Sequence, residues 1–213
     1  MAGLTLYDAT LSQIERLPAG SRAGLVLRHS ERQPILRPED TFTAMLTENG
    51  IRQAEGFGRA LAELRQPGRL LSSPMERCRD TVAAIARGAG WAAPGGVEHR
   101  LSHPFIAPAW NALPILWQKD PMPTQVAALL DLVLDREEQP GVVDILCTHD
   151  TIVAALAGYF MGCAFTYPGY WPDFLEAVFI WRQECTVHVR WRDHERVIGV
   201  WPEPAFQQLR LEL

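Results

Sequence analysis

The sequence predicts an α/β fold of three layers, α/β/α, with a largely parallel central sheet, antiparallel strands near the C-terminus and a small insertion over the sheet edge. Three observations carry this: short apolar runs rich in leucine and β-branched residues, helical segments between them, and closely spaced strand-like runs near the end of the chain. The first runs are Gly24 to Leu27, Arg69 to Ser72 and Val142 to Cys147. Residues 174–181, 185–191 and 195–201 form the later set, with a polar turn at Arg192-Asp193-His194 that suits antiparallel strands or a terminal hairpin.

The intervening helices follow from periodicity and end signals. From Thr47 to Leu64, apolar or small residues recur at helical spacing (Ile51, Ala54, Phe57, Leu61, Leu64), with Thr47 as N-cap and Pro67-Gly68 as a stop. Ser73-Pro74-Met75-Glu76 reads as a capping box with proline at the first helical position, opening a helix to about Arg87. Two more helices are expected over Thr124 to Arg136 and Thr151 to Met161. Between Gly90 and Pro123 the chain is rich in proline and tryptophan without periodicity, so residues 91–123 are expected to form an insertion within a single domain spanning 1–213. Trp171, Trp181, Trp191 and Trp201 recur at tenfold spacing, but their surroundings do not repeat, which argues against a repeat architecture.

Composition narrows the function. The hydrophobic fraction of 47% and charged fraction of 21% are those of an ordinary globular domain, and no run approaches the roughly 18 apolar residues of a membrane span. The first residues lack the basic start and apolar run of a signal peptide. Cys78, Cys147, Cys163 and Cys185 have no C-x-x-C spacing and mostly sit in apolar runs, so reduced core cysteines and a cytoplasmic protein are expected. A net charge of -5 argues against nucleic-acid binding, and any phosphate site must gather its positive charge locally.

Three motifs do gather it. Arg28-His29-Ser30-Glu31-Arg32 follows the first apolar run, at the carboxyl edge of the sheet where α/β proteins bind ligands. Two arginines flanking a histidine repel unless an anion neutralises them. Arg77 follows the second run in the first turn of a helix, where backbone N–H groups also favour an anion. His149 and Asp150 end the third run. One pocket with Arg28, His29, Arg32, Arg77, His149 and Asp150 is therefore expected. The blander alternatives are a structural histidine, a solvated Arg77 and an N-capping Asp150.

At these residues the sequence resembles the histidine phosphatase superfamily. RHSER is similar to its first motif with Ser30 in place of glycine, LTENGIRQAEGFGRAL to the helix after that motif, and SSPMERCRDTVAAIA to the segment carrying its next arginine. THDTIVAAL resembles the His-Asp motif of the acid phosphatase branch more than the His-Gly motif of the phosphoglycerate mutase branch.

The resemblance implies a phosphomonoester hydrolase with a phosphoglycerate mutase-like fold that works without a metal or other cofactor. His29 would become phosphohistidine, Arg28, Arg32, Arg77 and His149 would bind the phosphoryl oxygens, and Asp150 would act as acid and then base. Glu76 ranks lower as the acid because a capping box already employs it, and Glu31 because arginines flank it. Ser30 would be strained wherever a positive φ were needed.

The substrate expected is a small phosphate monoester, with His103, Phe105 and Trp110 as candidate pocket residues in the insertion. His99 and His103 are four apart, but Pro104 argues against a helix presenting both to a metal. The alternatives are a phosphomutase of the same superfamily or a non-catalytic phosphate-binding regulator.

Overall fold

The computed structural model describes residues 7–92, 95–102, 121–137, 139–161 and 171–200. In chain order these form α1 (Asp8–Glu15), β1 (Ala23–Arg28), α2 (Asp40–Thr43), α3 (Glu48–Leu64), β2 (Gln66–Ser72), α4 (Glu76–Ala89), β3 (Gly96–Val97), a 3-10 turn at His99–Leu101, α5 (Pro121–Leu134), β4 (Val142–Thr148), α6 (Asp150–Met161), β5 (Ala177–Gln183), β6 (Thr186–Trp191) and β7 (His194–Val200).

The strands make one seven-stranded sheet in the order β3-β2-β4-β1-β5-β6-β7. The first four are mutually parallel, and β5, β6 and β7 continue from β1 as an antiparallel meander. This is the expected α/β sheet with its antiparallel C-terminal edge. Strand β1 is buried along its whole length, so successive side chains serve opposite cores. Leu25 and Leu27 join Phe57, Leu61, Val82 and Ile85 beneath α1, α3 and α4, whereas Val26 joins Leu130, Val133, Ile152 and Leu156 beneath α5 and α6. Trp181 and Trp191 fall in these two different cores, as unrelated residues of successive strands.

Several local expectations need correction. Thr47 does cap α3, accepting from Gly50 N at 2.9 Å, but Pro67-Gly68 does not stop that helix. Arg65 turns extended, and Pro67 and Gly68 lie inside β2, close to its start. Such a position beside only one fully formed neighbour tolerates a residue that cannot donate. The capping box at Ser73 is absent: α4 begins at Glu76 after Met75, which makes no side-chain cap. Helix α5 starts at Pro121 rather than Thr124, in keeping with the tolerance of a helix's first turn for proline. Cys78 and Cys147 are buried and free as expected, but Cys185 is exposed in the turn between β5 and β6. Cys163 lies outside the described residues.

Register brings the three motif-bearing strand ends level. Arg28 pairs with Thr148 and Ser72 with Cys147, so the residues that follow β1, β2 and β4 share one edge. At the other end of β4 the buried Asp144 accepts from Arg22 and Arg69 at 2.7 and 2.9 Å and also pairs with Arg136.

Candidate active site

His29 is the first residue beyond β1 and is 1% exposed. Its backbone N donates to Thr148 O at 2.9 Å, which keeps it tied to β4. Its Nδ1 lies 2.7 Å from Ser30 O. A carbonyl only accepts, so Nδ1 carries the proton and Nε2 carries the lone pair. That lone pair faces Arg77, whose Nε donates to it at 3.2 Å.

Arg77 enters from the first turn of α4 and reaches both histidines. Its Nη2 lies 3.3 Å from His149 Nδ1, and its Nη1 donates to Thr41 O at 2.8 Å. Arginine has no acceptor, so His149 Nδ1 must accept; Nε2–H then donates to Ser73 Oγ at 2.9 Å. The ring centres of His29 and His149 stand 5.7 Å apart. Ser73, read from sequence as a helix cap, instead fixes the second histidine.

Arg28 closes the site from β1. One nitrogen, Nη2, is 3.1 Å from Asp150 Oδ2, and Nη1 donates to Pro172 O at 2.7 Å. Asp150 opens α6, and its Oδ1 accepts from Thr151 N at 2.9 Å. Arg32 is half-buried; its Nη1 turns to Gln33 O at 2.9 Å, while its charge acts on Arg28 and Arg77. Five of the six residues expected from the sequence thus fall into two contacting sets, His29–Arg77–His149 and Arg28–Asp150, which neighbour each other along the chain, and Arg32 lies at the margin.

Burial is the main cause that holds the His29 pKa well below its ordinary value of 6.5, followed by the cost of protonating it beside a protonated His149 and by the charges of Arg77 and Arg28, against the opposing hydrogen bond to Ser30 O. Burial also lowers the pKa of Arg28 and of Arg77. The arrangement therefore presents a neutral imidazole Nε2 among guanidinium groups, donors of the kind that can hold an anion.

Ser30 is not strained, because its φ is not positive. Its backbone N donates to Thr81 Oγ1 of α4 at 3.0 Å and its Oγ to Gly50 O at 2.7 Å, so the extra side chain adds a tie to α3 to the one that the backbone makes to α4. Gly50 permits this approach, since a Cβ there would collide with Glu31 O. Glu31 accepts from Thr47 Oγ1 and Asn49 Nδ2, both at 2.7 Å, which makes it a fastening for α3. Glu76 is exposed, and the capping role that ranked it lower as the acid does not exist.

Phe174 is the site residue that sequence reasoning missed. Its ring lies 4.0 Å from Arg28 Cζ and 5.8 Å from the centre of His29, yet nothing near residue 174 in the sequence signals a phosphate site. Of the insertion, Trp91 packs on the core beside α4, and His99 and Arg100 are exposed, Arg100 paired with Glu98. His103, Phe105 and Trp110 lie outside the described residues.

Residues 25–102 match the family model described as histidine phosphatase superfamily (branch 1). The matched segment contains the motifs of Arg28 to Arg32 and of Arg77. It ends before His149-Asp150, the pair on which the resemblance to the acid phosphatase branch rested; the branch matched is the phosphoglycerate mutase-like one.

No curated protein matches the chain by sequence. Among solved structures, a mycobacterial hydrolase aligns at TM-score 0.53 with 19% identity, over 84% of this chain and 98% of that one. A phosphoserine phosphatase mutant from Entamoeba histolytica, in complex with phosphoserine, aligns at TM-score 0.52 with 13% identity, over 84% and 96%. A mycobacterial glucosyl-3-phosphoglycerate phosphatase complexed with VO3 aligns at TM-score 0.50 with 19% identity, over 81% and 100%. At these identities the likeness is one of fold.

Proposed function

We propose that this protein is a histidine phosphatase that hydrolyses a small phosphate monoester through phosphohistidine at His29. The observation that carries the reading is the anchoring of His29 Nδ1 on Ser30 O, which directs the Nε2 lone pair at Arg77 in the midst of Arg28 and His149. The match of residues 25–102 to the family model and the phosphatases among the structural neighbours support it.

The chemistry follows from the contacts. A phosphoryl group entering the site takes the guanidinium donors of Arg77 and Arg28, with Arg32 completing the cradle and His149 joining it once a proton on Nδ1 turns that atom from acceptor to donor. Nε2 then attacks phosphorus in line, the P–O ester bond breaks, and the leaving oxygen receives a proton from Asp150. In the second half, water attacks the phosphohistidine, Asp150 takes its proton, and phosphate leaves with His29 restored. The phosphate oxygens compete with Asp150 for Arg28 Nη2, so substrate binding loosens the ion pair, and the freed carboxylate takes up the proton of the incoming phosphate monoanion, which is the proton it passes to the leaving oxygen.

The test is release of phosphate from p-nitrophenyl phosphate, with and without chelator, by wild type, His29→Ala and Asp150→Asn. A wild type inactive at acidic and neutral pH would overturn the reading, and loss of activity on chelation would overturn the metal-free mechanism. Alkaline quenching, which preserves a histidine P–N bond, should trap label on wild type and none on His29→Ala.

A second reading, a phosphomutase, is favoured by the match to branch 1. It differs in the second half-reaction, returning the phosphoryl group to substrate. Phosphate release in step with substrate loss supports the hydrolase; isomer without phosphate supports the mutase.

A further inference from the structure

We infer that Phe174 is a positioning residue for Arg28 and His29, and that the segment from Trp171 to Glu176 is a clamp built to hold it, fastened by Arg192 from the β6–β7 turn. The inference rests on the function proposed above and adds to it a device outside the three phosphate motifs.

The clamp touches the Arg28 side chain twice. Pro172 O accepts from Nη1 at 2.7 Å, while the Phe174 ring covers the guanidinium face at 4.0 Å. With Asp150 on Nη2 at 3.1 Å, both ends and one face of the guanidinium are fixed, leaving one orientation for the donors that meet phosphate. The same ring lies 5.8 Å from the centre of His29 and shields it from water.

The segment is held far more firmly than an ordinary connection. Arg192 Nε donates to Glu176 Oε1 at 2.7 Å, and Nη2 donates to Glu176 Oε2 at 3.1 Å and to Trp171 O at 3.0 Å. Glu176 Oε2 also accepts from Asp173 N at 2.7 Å, and Leu175 O accepts from Thr10 Oγ1 of α1 at 2.8 Å. Glu176 O accepts from Arg28 N at 2.9 Å, joining the clamp to the strand that carries the motif.

Within this frame Leu175 is buried at φ 59, a left-handed conformation costly for a residue with a Cβ. Arg192 shares that conformation at φ 53. Strain of this kind persists where surrounding contacts over-determine the backbone. Here it aims the residue before Leu175 inward, at Arg28 and His29.

The charged and titratable groups acting on His29 are Arg28 from β1, Arg77 from α4 and His149 just beyond β4, with Asp150 from the start of α6 paired to Arg28. The test compares full-length wild type, Phe174→Ala, Phe174→Tyr and Glu176→Gln, each shown folded by circular dichroism and melting. Three quantities are read: the Kd of inorganic phosphate by calorimetry, the titration of the His29 ring by NMR, and kcat and KM for p-nitrophenyl phosphate.

Phe174→Ala should weaken phosphate binding about tenfold and move the His29 titration upward toward that of a free imidazole, while Phe174→Tyr stays within about twofold of wild type. Glu176→Gln, with no contact to Arg28 or His29 through its side chain, should weaken phosphate binding about threefold by loosening the clamp. A folded Phe174→Ala with wild-type phosphate binding and an unmoved His29 titration would overturn the inference while leaving the proposed function standing. A wild type that neither binds nor releases phosphate would remove the proposed function; the His29 titration would still decide whether the ring shields the histidine.

Discussion

Arg77 joins the two histidines of the site through one guanidinium, with Nε 3.2 Å from His29 Nε2 and Nη2 3.3 Å from His149 Nδ1. A lysine carries the charge but cannot span two acceptors with a rigid fork. Arg77→Lys is therefore expected to lose about a hundredfold or more in kcat/KM for p-nitrophenyl phosphate while remaining folded. Near-wild-type rates in Arg77→Lys would show that charge alone, without the bridge, is sufficient.

Asp150 is the proposed acid, and its loss should be felt according to the leaving group. Asp150→Asn is expected to slow hydrolysis of an alkyl phosphate by about a hundredfold or more but to affect p-nitrophenyl phosphate far less, because a phenolate leaves with little protonation. Equal losses on both substrates would assign Asp150 to holding Arg28 and not to proton transfer.

The pH dependence has a definite sign. Burial lowers the His29 pKa in the folded protein, whereas in the unfolded chain it stays near 6.5. Below about pH 6.5 the unfolded chain takes up a proton that the folded one does not, so this histidine's contribution is full above that pH and is lost as pH falls toward the folded value. His29→Gln should flatten that part of the acid limb in a series of denaturant melts. The ring should also remain neutral, and nucleophilic, as pH falls through 6.5 in NMR titration.

At the opposite end of β4, Asp144 is fully buried among Arg22, Arg69 and Arg136. Removing the carboxylate leaves these guanidinium groups without their shared counter-charge, so Asp144→Ala should cost about 3–5 kcal/mol in chemical denaturation. The folded fraction should keep its activity, since the proposed phosphate site lies at the other end of the strand.

Ser30 stands where the motif that this segment resembles has glycine, and donates to Gly50 O at 2.7 Å. Ser30→Gly should lower stability by about 1 kcal/mol, the worth of one buried hydrogen bond plus added backbone freedom. Gly50→Ala should be worse, because its Cβ meets the Glu31 carbonyl, which cannot yield.

Much of this protein is determined by short-range sequence. Apolar runs of residues such as Leu25, Val26 and Leu27 dictate strands buried on both faces, and a parallel sheet then presents whatever follows each run at one edge. That logic reaches His29, Arg77 and His149 without coordinates, because each is tied to its strand or helix by a few residues.

Other features depended on partners distant in the chain. Ser73 satisfies the local pattern of a capping box, yet its hydroxyl belongs to His149, whose imidazole offers a buried donor in need of an acceptor. Pro67-Gly68 satisfies the pattern of a helix stop, but pairing with β4 draws both residues into β2. Phe174 carries no local mark at all. It reaches the site only because β5 pairs antiparallel with β1 and because Arg192 and Thr10 hold the turn in front of that strand. Sequence determined which groups stand at the sheet edge; only tertiary packing decided how Arg28 is oriented, because its guanidinium is set by contacts across more than a hundred residues of chain.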